Sequence, residues 1–411
     1  MSVARACLAL VAVLAIGSTA ALAGTATGVG DPGVTPTSVL LGGTTSLTGS
    51  ASQFSAMAVG ADAYFRYVNA KGGVNGRSIT YRYLDDASTA ANALQRTREL
   101  VEQEHVFAIF NTLGTEPNLS IRPYLSSGKV PQLFAASGDT SFGRDYEQYP
   151  TTIGFQPTYT AEGWVLGKYL ARSAPGAKVA VLFQNDAYGK DLFNGLRKGL
   201  ERSKTRVIAA QPYEAGSADV GAQMTKLKAS EADTFVSFAM PKTTVQAFML
   251  AGKLGWKPKR VITSALSSSS SVMQQASQGG TNRVVEGAVS IAFLKDPTDS
   301  EWKSEASMKL YGQIMKQYAP DADATDVSHV YGMAVAWTTV EALSKVGKDL
   351  TRASLLKVVD NLNAPGNPFL LPGITVKTSG ADRYPIDQML LQRWRKGTWK
   401  SFGGLWGYRA P

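Results

Sequence analysis

From Val39 onward, apolar strand patterns alternate with amphipathic helix patterns. The run Val179–Phe183 is apolar throughout, which is typical of a strand covered by helices on both faces, and polar residues follow it abruptly at 184–189. Because open α/β sheets bind ligands beyond the carboxyl ends of their strands, such ends predict one pocket built from several loops. Further apolar runs end in small polar residues at 39–46, 107–112 and 132–137.

The same alternation predicts βαβ units and doubly wound, mostly parallel sheets. An amphipathic helix spans Phe54–Val68, and a hairpin near the C-terminus turns at Lys396-Gly397. The other predicted strands are 79–84, 107–110, 132–135, 178–183, 206–209, 233–238 and 260–263. The other predicted helices are about 89–104, 117–126, 160–172, 189–202, 218–229, 243–254, 300–318, 327–346 and 351–361.

The N-terminus has the pattern of a secretory signal peptide. Arg5 gives a positive n-region, Cys7–Ile16 an apolar h-region, and Ala21-Leu22-Ala23 a small-residue cleavage site. We therefore expect residues 1–23 to be removed after about Ala23, a flexible lead-in at 24–38, and a soluble mature protein outside the cytoplasm. A membrane anchor is the weaker alternative because Gly17 and Ser18 break the short apolar core.

Composition limits the classes of partner. The only cysteine is Cys7 inside the predicted signal peptide, so the mature chain is stabilised by core burial without disulfides. At 411 residues the chain is long enough for two domains, since single cores stop growing beyond roughly 250–300 residues. The formal net charge of +10 is dispersed along the chain, which favours a solvated surface over nucleic-acid binding.

Catalytic and cofactor motifs are absent from the sequence. No zinc-binding spacing, phosphate-binding loop or G-x-S-x-G elbow occurs, and neither a cofactor nor a metal is expected. The only histidines are His105 and His329, and a triad that uses His329 with a cleft serine stays an alternative. Adjacent side chains on a strand point to opposite faces, so Asp85-Asp86 is expected to form a turn rather than a catalytic pair.

Hydroxyls and glycines at the predicted strand ends suit recognition of a small anion. Helix N-termini and free backbone N–H groups favour a carboxylate there, while tyrosines supply walls with polar tips. The run Ser267–Ser271 either caps a helix or contacts a ligand directly. The residues in question are Ser46, Thr48, Thr115, Ser137, Gly49, Gly114, Gly138, Tyr159, Tyr188 and Tyr331.

The chain resembles the periplasmic solute-binding proteins of ABC transporters, in the branched-chain amino-acid-binding (Leu/Ile/Val) group. The resemblance covers nearly all of the mature chain. It depends on Leu47-Thr48-Gly49, Ala70–Gly76, Leu84-Asp85-Asp86, Leu113-Gly114-Thr115, Val130-Pro131, Gln184–Gly189 and Leu371–Ile374. It implies a type I periplasmic binding fold: two α/β lobes, each a mostly parallel sheet flanked by helices, joined by three crossovers. Lobe 1 would hold 39–157 and 286–367, and lobe 2 would hold 158–285 and 368–411.

The resemblance also implies which residues bind the ligand and which partner receives it. Carboxylate-binding elements would be Leu113, Gly114 and Thr115 with Ala136, Ser137 and Gly138, and aromatic or apolar contacts would come from Tyr159, Tyr188, Met240 and Tyr331. The protein would deliver a small-molecule ligand to ABC permease subunits, without enzymatic activity, and is expected to be a monomer.

One departure from the family changes the expected ligand. Members that bind α-amino acids usually place an acidic residue after the strand at 260–263, where this chain has Ser264-Ala265-Leu266-Ser267-Ser268. A buried ammonium without a counter-charge would cost several kcal/mol. We therefore expect a carboxylate-bearing ligand without an ammonium, an aromatic or aliphatic acid rather than a branched-chain amino acid. A sensor that reports the ligand to a receptor is the alternative function, followed by an exported hydrolase.

Overall fold

The computed structural model describes residues 30–217 and 219–408. The predicted signal peptide and the first residues of the lead-in lie outside this range. Among the described residues, no helix combines the length and apolar character needed to cross a membrane.

The first part of the chain forms a parallel sheet in the order β2-β1-β3-β4-β5. Its strands are β1 (Ser38–Thr45), β2 (Ser78–Asp85), β3 (Ala108–Phe110), β4 (Gln132–Ala135) and β5 (Thr152–Gly154). The helices along this stretch are α1 (Ala56–Ala70), α2 (Ala90–Arg98), α3 (Thr115–Ser127) and α4 (Ser141–Arg144). A turn of π-helix at Glu99–Gln103 continues α2, so the predicted helix at 89–104 changes its geometry before it ends.

The chain then enters a second sheet. Its first strands are β6 (Lys178–Gln184), β7 (Arg206–Tyr213), β8 (Thr234–Phe238), β9 (Arg260–Thr263) and β10 (Val289–Ala292). The accompanying helices are α5 (Tyr159–Ser173), α6 (Ala187–Leu200), α7 (Gly221–Ala229), α8 (Pro241–Lys253) and α9 (Ser270–Ser277). β6 is buried along most of its length, as its apolar run predicts.

After β10 come α10 (Ala306–Tyr318), α11 (Val327–Val346) and α12 (Arg352–Val359), with a small antiparallel pair of β11 (Asn363–Ala364) and β12 (Val376–Lys377). α11 packs closely on α1 through two glycines. A Cβ on Gly332 would lie 2.1 Å from the Met57 carbonyl oxygen, and one on Gly60 would lie 2.3 Å from that of His329. The later helix α11 therefore covers α1.

The chain returns to the second sheet through β13 (Gln388–Arg395) and β14 (Thr398–Gly407), which form the predicted hairpin at Lys396-Gly397. The sheet order is β14-β13-β10-β9-β8-β6-β7, and it is parallel except at β13. The chain crosses from one sheet to the other after β5, after β10 and before β13. The predicted α/β class with three crossovers is confirmed.

Strand pairing corrects two details of the predicted lobes. β10 was assigned to lobe 1, yet it pairs with β9 and β13 in the second sheet. β11 and β12 pair with each other although the predicted boundary at 367 separates them. β10 was not among the predicted strands, and the two-residue pair is too short to produce a periodic signal of its own. The lobe assignment as a whole stays a prediction.

Candidate functional site

Two adjoining cavities lie at the carboxyl ends of strands from both sheets. The Thr115 cavity, of about 410 Å³, is lined by loops after β1, β3, β4, β6 and β8. The Tyr331 cavity, of about 510 Å³, is lined by α8, α9 and the loops after β9 and β10. The two form one continuous cleft because they share six lining residues: Gln53, Phe54, Met57, Gln156, Lys242 and Leu266.

A pair of hydroxyls lies at one end of this cleft. The Thr115 Oγ1 and Ser137 Oγ atoms are 2.8 Å apart, and both side chains are buried. Thr115 is the first residue of α3, whose N-terminal amides have no partners within the helix. It follows Gly114, whose φ of 97° is a left-handed conformation that glycine adopts without strain. This end therefore combines hydroxyl donors with a helix N-terminus, as a carboxylate site requires.

Two tyrosines connect the hydroxyl pair to the opposite wall. Tyr159 lies beside the hydroxyls of Thr115 and Ser137, and burial raises its pKa to about 12. The ring of Tyr159 meets the ring of Tyr188 edge-on at a centroid distance of 4.9 Å. The Tyr188 hydroxyl in turn lies 2.7 Å from Ser264 Oγ. The predicted convergence of Thr115 and Ser137 with Tyr188 is therefore present in the structure.

The other predicted site residues divide between the cleft and its support. Tyr331 lines the second cavity, where its ring lies 5.5 Å from that of Phe155 and its hydroxyl has no partner among the described residues. Ser137 and Gly138 lie behind the cavity wall, and the Gly138 carbonyl accepts the Tyr159 N–H. The predicted residues that line the Thr115 cavity are Leu113, Gly114, Thr115, Ala136, Tyr159, Tyr188 and Met240.

The acidic pair at 85–86 forms a turn, as predicted. Asp85 accepts hydrogen bonds from Leu47 N, Thr48 N and Thr48 Oγ1, which turns the Thr48 hydroxyl toward the acid. Asp86 accepts from Ser46 Oγ and Ser88 N. The pair therefore fixes the loop after β1 that borders the Thr115 cavity.

The serine run at 267–271 caps a helix, as one of its two predicted roles requires, and direct contact with a ligand stays a prediction. Ser269 caps α9 by accepting the Val272 N–H. Ser268, Ser269 and Ser271 also line the Tyr331 cavity, beside apolar side chains such as Phe293 and Ile291. This cavity therefore offers an apolar surface with scattered hydroxyls.

Glu162 is a cavity-lining acid that no sequence motif indicated. It lies in the first turn of α5, is only 4% exposed, and lines the Tyr331 cavity. One carboxyl oxygen accepts the Ala265 N–H at 2.7 Å, so an acid from α5 reaches the loop after β9 that carries none of its own. Burial raises the pKa of Glu162 to about 8. The available signal was an acid on the buried helical stripe formed by Tyr159, Glu162, Leu166 and Leu170.

His329 does not line the cleft, so it is not positioned to act with a cleft serine in hydrolysis. Burial lowers its pKa, its Nδ1 has no partner among the described residues, and it does not line either cavity. Its backbone packs against Gly60 of α1. In the part of the chain that the structure describes, no group of three or more His, Cys, Asp or Glu side chains is placed to hold a metal ion.

Comparisons with known proteins identify the family to which the chain belongs. The profile of the family described as "periplasmic binding protein" matches residues 38–398. The Leu/Ile/Val-binding protein homolog 2 of Brucella abortus (strain 2308) is 30% identical over 193 residues, which cover 46% of this chain and 51% of that protein. The chain thus matches about half the length of this curated relative.

Solved structures show the same fold over most of both chains. A branched-chain amino acid ABC transporter protein from Thermus thermophilus with bound valine has a TM-score of 0.79 at 17% identity, covering 90% of this chain and 96% of that one. An ABC transporter solute-binding protein from R. palustris in complex with benzoate has a TM-score of 0.74 at 14% identity, covering 91% and 97%. The two-lobe type I periplasmic binding architecture inferred from the sequence motifs is confirmed.

Proposed function

Because this chain belongs to the family of periplasmic binding proteins, which bind solutes and are not enzymes, we propose that it captures a small carboxylate-bearing ligand in the cleft. We further propose that the protein is exported and delivers the ligand to an ABC permease. The observation that carries the ligand class is the Thr115 hydroxyl at the start of α3, which lines the cleft 2.8 Å from the Ser137 hydroxyl behind it and beside Tyr159. Such a group of donors at a helix N-terminus favours an anion.

An organic acid without an ammonium is the favoured ligand. The loop after β9 has no acidic residue, and the acid that reaches it, Glu162, is kept largely neutral at pH 7 by burial. Neither Glu162 nor the loop after β9 thus supplies a fixed negative charge to compensate an ammonium, whose burial would be costly. The apolar side chains of the Tyr331 cavity, among them Phe54, Val272 and Phe293, suit an aromatic or aliphatic tail.

Closure of the two lobes would follow from contacts on both sides of the cleft. With the boundaries adjusted to the strand pairing, lobe 1 comprises about 39–157 and 293–377, and lobe 2 comprises about 158–292 and 378–411. Thr115 then belongs to lobe 1 and Tyr188 to lobe 2. A ligand that touches both favours the closed state by its differential contacts.

A thermal-shift screen with benzoate, decanoate, leucine and valine tests the ligand class. Ligand that binds only the folded form raises the melting temperature, so we expect benzoate or decanoate to do so and the amino acids not to. Thr115→Val should abolish most of the shift, while Thr225→Val, on an exposed position of α7, should not change it. Tight binding of leucine or valine, with none of the acids, would overturn this ligand class.

Small-angle scattering tests the closure. Tyr188→Ala should weaken affinity and reduce the compaction that the bound acid produces. Wild-type affinity together with unchanged compaction would show that Tyr188 has no part in closure.

A further inference from the structure

Glu162 is a buried acid in the wall of a cleft that we propose to hold an anion. One of its oxygens is held by the Ala265 N–H, and no hydrogen bond among the described residues engages the other. Because the residue is 4% exposed and lines the Tyr331 cavity, this second oxygen is available to the cavity. No feature of the fold described above requires a carboxyl group at this position.

The surroundings of Glu162 provide little compensation for a negative charge. The side chain of Tyr188 on α6 interacts with it electrostatically, and Tyr331 on α11 lines the same cavity. The charged residues that share the cavity are Lys242 on α8, Asp296 after β10 and Asp326 before α11. Lys242 is exposed, so its ammonium is solvated, and the two aspartates add negative charge. An ionised Glu162 would therefore be a poorly compensated buried charge.

The free-energy cost of ionising Glu162 rises further when an anion occupies the cleft. The Thr115 and Tyr331 cavities share lining residues, so a carboxylate bound at Thr115 would lie in the same low-dielectric space as Glu162. Two like charges in such a site raise the cost of ionising either one. The bound anion and an ionised Glu162 therefore destabilise each other.

We propose that Glu162 is a specificity-determining residue that remains a neutral carboxylic acid beside the bound organic acid, so that its ionisation releases the ligand. This inference rests on the proposed function and deepens it: the site accepts monoanionic acids at neutral pH and loses them under alkaline conditions. Binding takes up a proton whenever the empty site has lost one, and the ligand's carboxylate itself does not titrate in this range.

Glu162→Gln isolates the charge from the rest of the side chain. Glutamine keeps an oxygen for the Ala265 N–H and nearly the same shape, but it cannot ionise. The matched control is Glu201→Gln, which removes a carboxylate from an exposed position at the end of α6 and outside the cleft.

Isothermal titration calorimetry from pH 6.5 to pH 9.5, with benzoate and decanoate as probes, measures the coupling. We expect wild-type and Glu201→Gln affinity to fall about 30-fold over this range, given ionisation near pH 8. Glu162→Gln should bind as the wild type does at pH 6.5 and keep that affinity at pH 9.5. At pH 8, buffers of different ionisation enthalpy should reveal uptake of about half a proton by the wild type and none by Glu162→Gln.

The outcomes separate this inference from the proposed function. Acid binding with the same pH profile in the wild type and in Glu162→Gln would overturn the role of Glu162 and leave the ligand class intact. Failure of both probes to bind at every pH, in a protein that unfolds cooperatively, would overturn the ligand class and this inference with it. A strong loss of affinity in Glu162→Gln at pH 6.5 would also refute the inference, because the neutral substitute should suffice.

Discussion

Replacing Glu162 with glutamine should change how the free energy of unfolding depends on pH, even without ligand. The pKa of Glu162 is raised from 4.5 to about 8 by burial, so the folded protein holds this proton more tightly than the unfolded chain does. The favourable contribution of the neutral acid is fully present below pH 4.5 and is lost as the pH rises toward 8. Between pH 5 and pH 8 the wild type should lose roughly 4 kcal/mol relative to Glu162→Gln.

Denaturant unfolding at pH 5 and pH 8 measures this difference. Subtracting the wild-type free energy from that of Glu162→Gln at each pH removes the contribution of every other titrating group. Glu201→Gln, which alters an exposed carboxylate, should show a difference that changes by less than about 0.5 kcal/mol between the two pH values. If the Glu162→Gln difference is equally flat, Glu162 is ionised in the folded protein at neutral pH, and its burial does not hold it neutral.

Three further predictions concern packing and hydrogen bonds, and thermal or denaturant unfolding tests each. Gly332→Ala should destabilise the protein by about 1–3 kcal/mol because its Cβ would press on the α1 backbone. The control Gly312→Ala, on an open face of α10, should be neutral or stabilising. Equal effects of the two substitutions would contradict the close packing of α11 on α1. Tyr188→Phe should cost about 1–3 kcal/mol by leaving the buried Ser264 hydroxyl without its 2.7 Å partner, and no loss would contradict that hydrogen bond. Thr351→Ala should cost about 1 kcal/mol by removing the capping box of α12, and an unchanged midpoint would refute it.

The helices and strands whose apolar residues recur with a clear period were predictable from the sequence. The apolar run at Val179–Phe183 lies within β6, and the predicted helix at 327–346 matches α11. Thr115 and Ser137 were predicted to converge because both follow parallel strands that end at the same edge of a sheet, and the structure brings their hydroxyls together. A residue's place in the cleft was predictable from local sequence where that residue directly follows a parallel strand, because the carboxyl ends of such strands meet at one edge of the sheet.

Features that depend on tertiary contacts were not predictable in this way. The sequence shows that the loop after β9 lacks an acid, but not that Glu162, a hundred residues earlier in the chain, reaches it. The sheet that β10 joins is defined by its pairing with β9 and β13, which its own residues do not reveal. The Thr48 hydroxyl was a candidate ligand group from its loop position, whereas its side chain bonds to Asp85.

The contact of α11 with α1 has a consequence for the order of folding. α1 ends at residue 70, but the helix whose backbone fits against its Gly60 begins at residue 327. A growing chain that has emerged only as far as the second sheet therefore leaves the surface of α1 uncovered and exposed to water. Contacts of such long sequence separation slow folding, since a large loop must close before they form. The packing around α1 becomes complete only after most of the polypeptide is available, so the export apparatus that the proposed function requires would meet an unfinished chain.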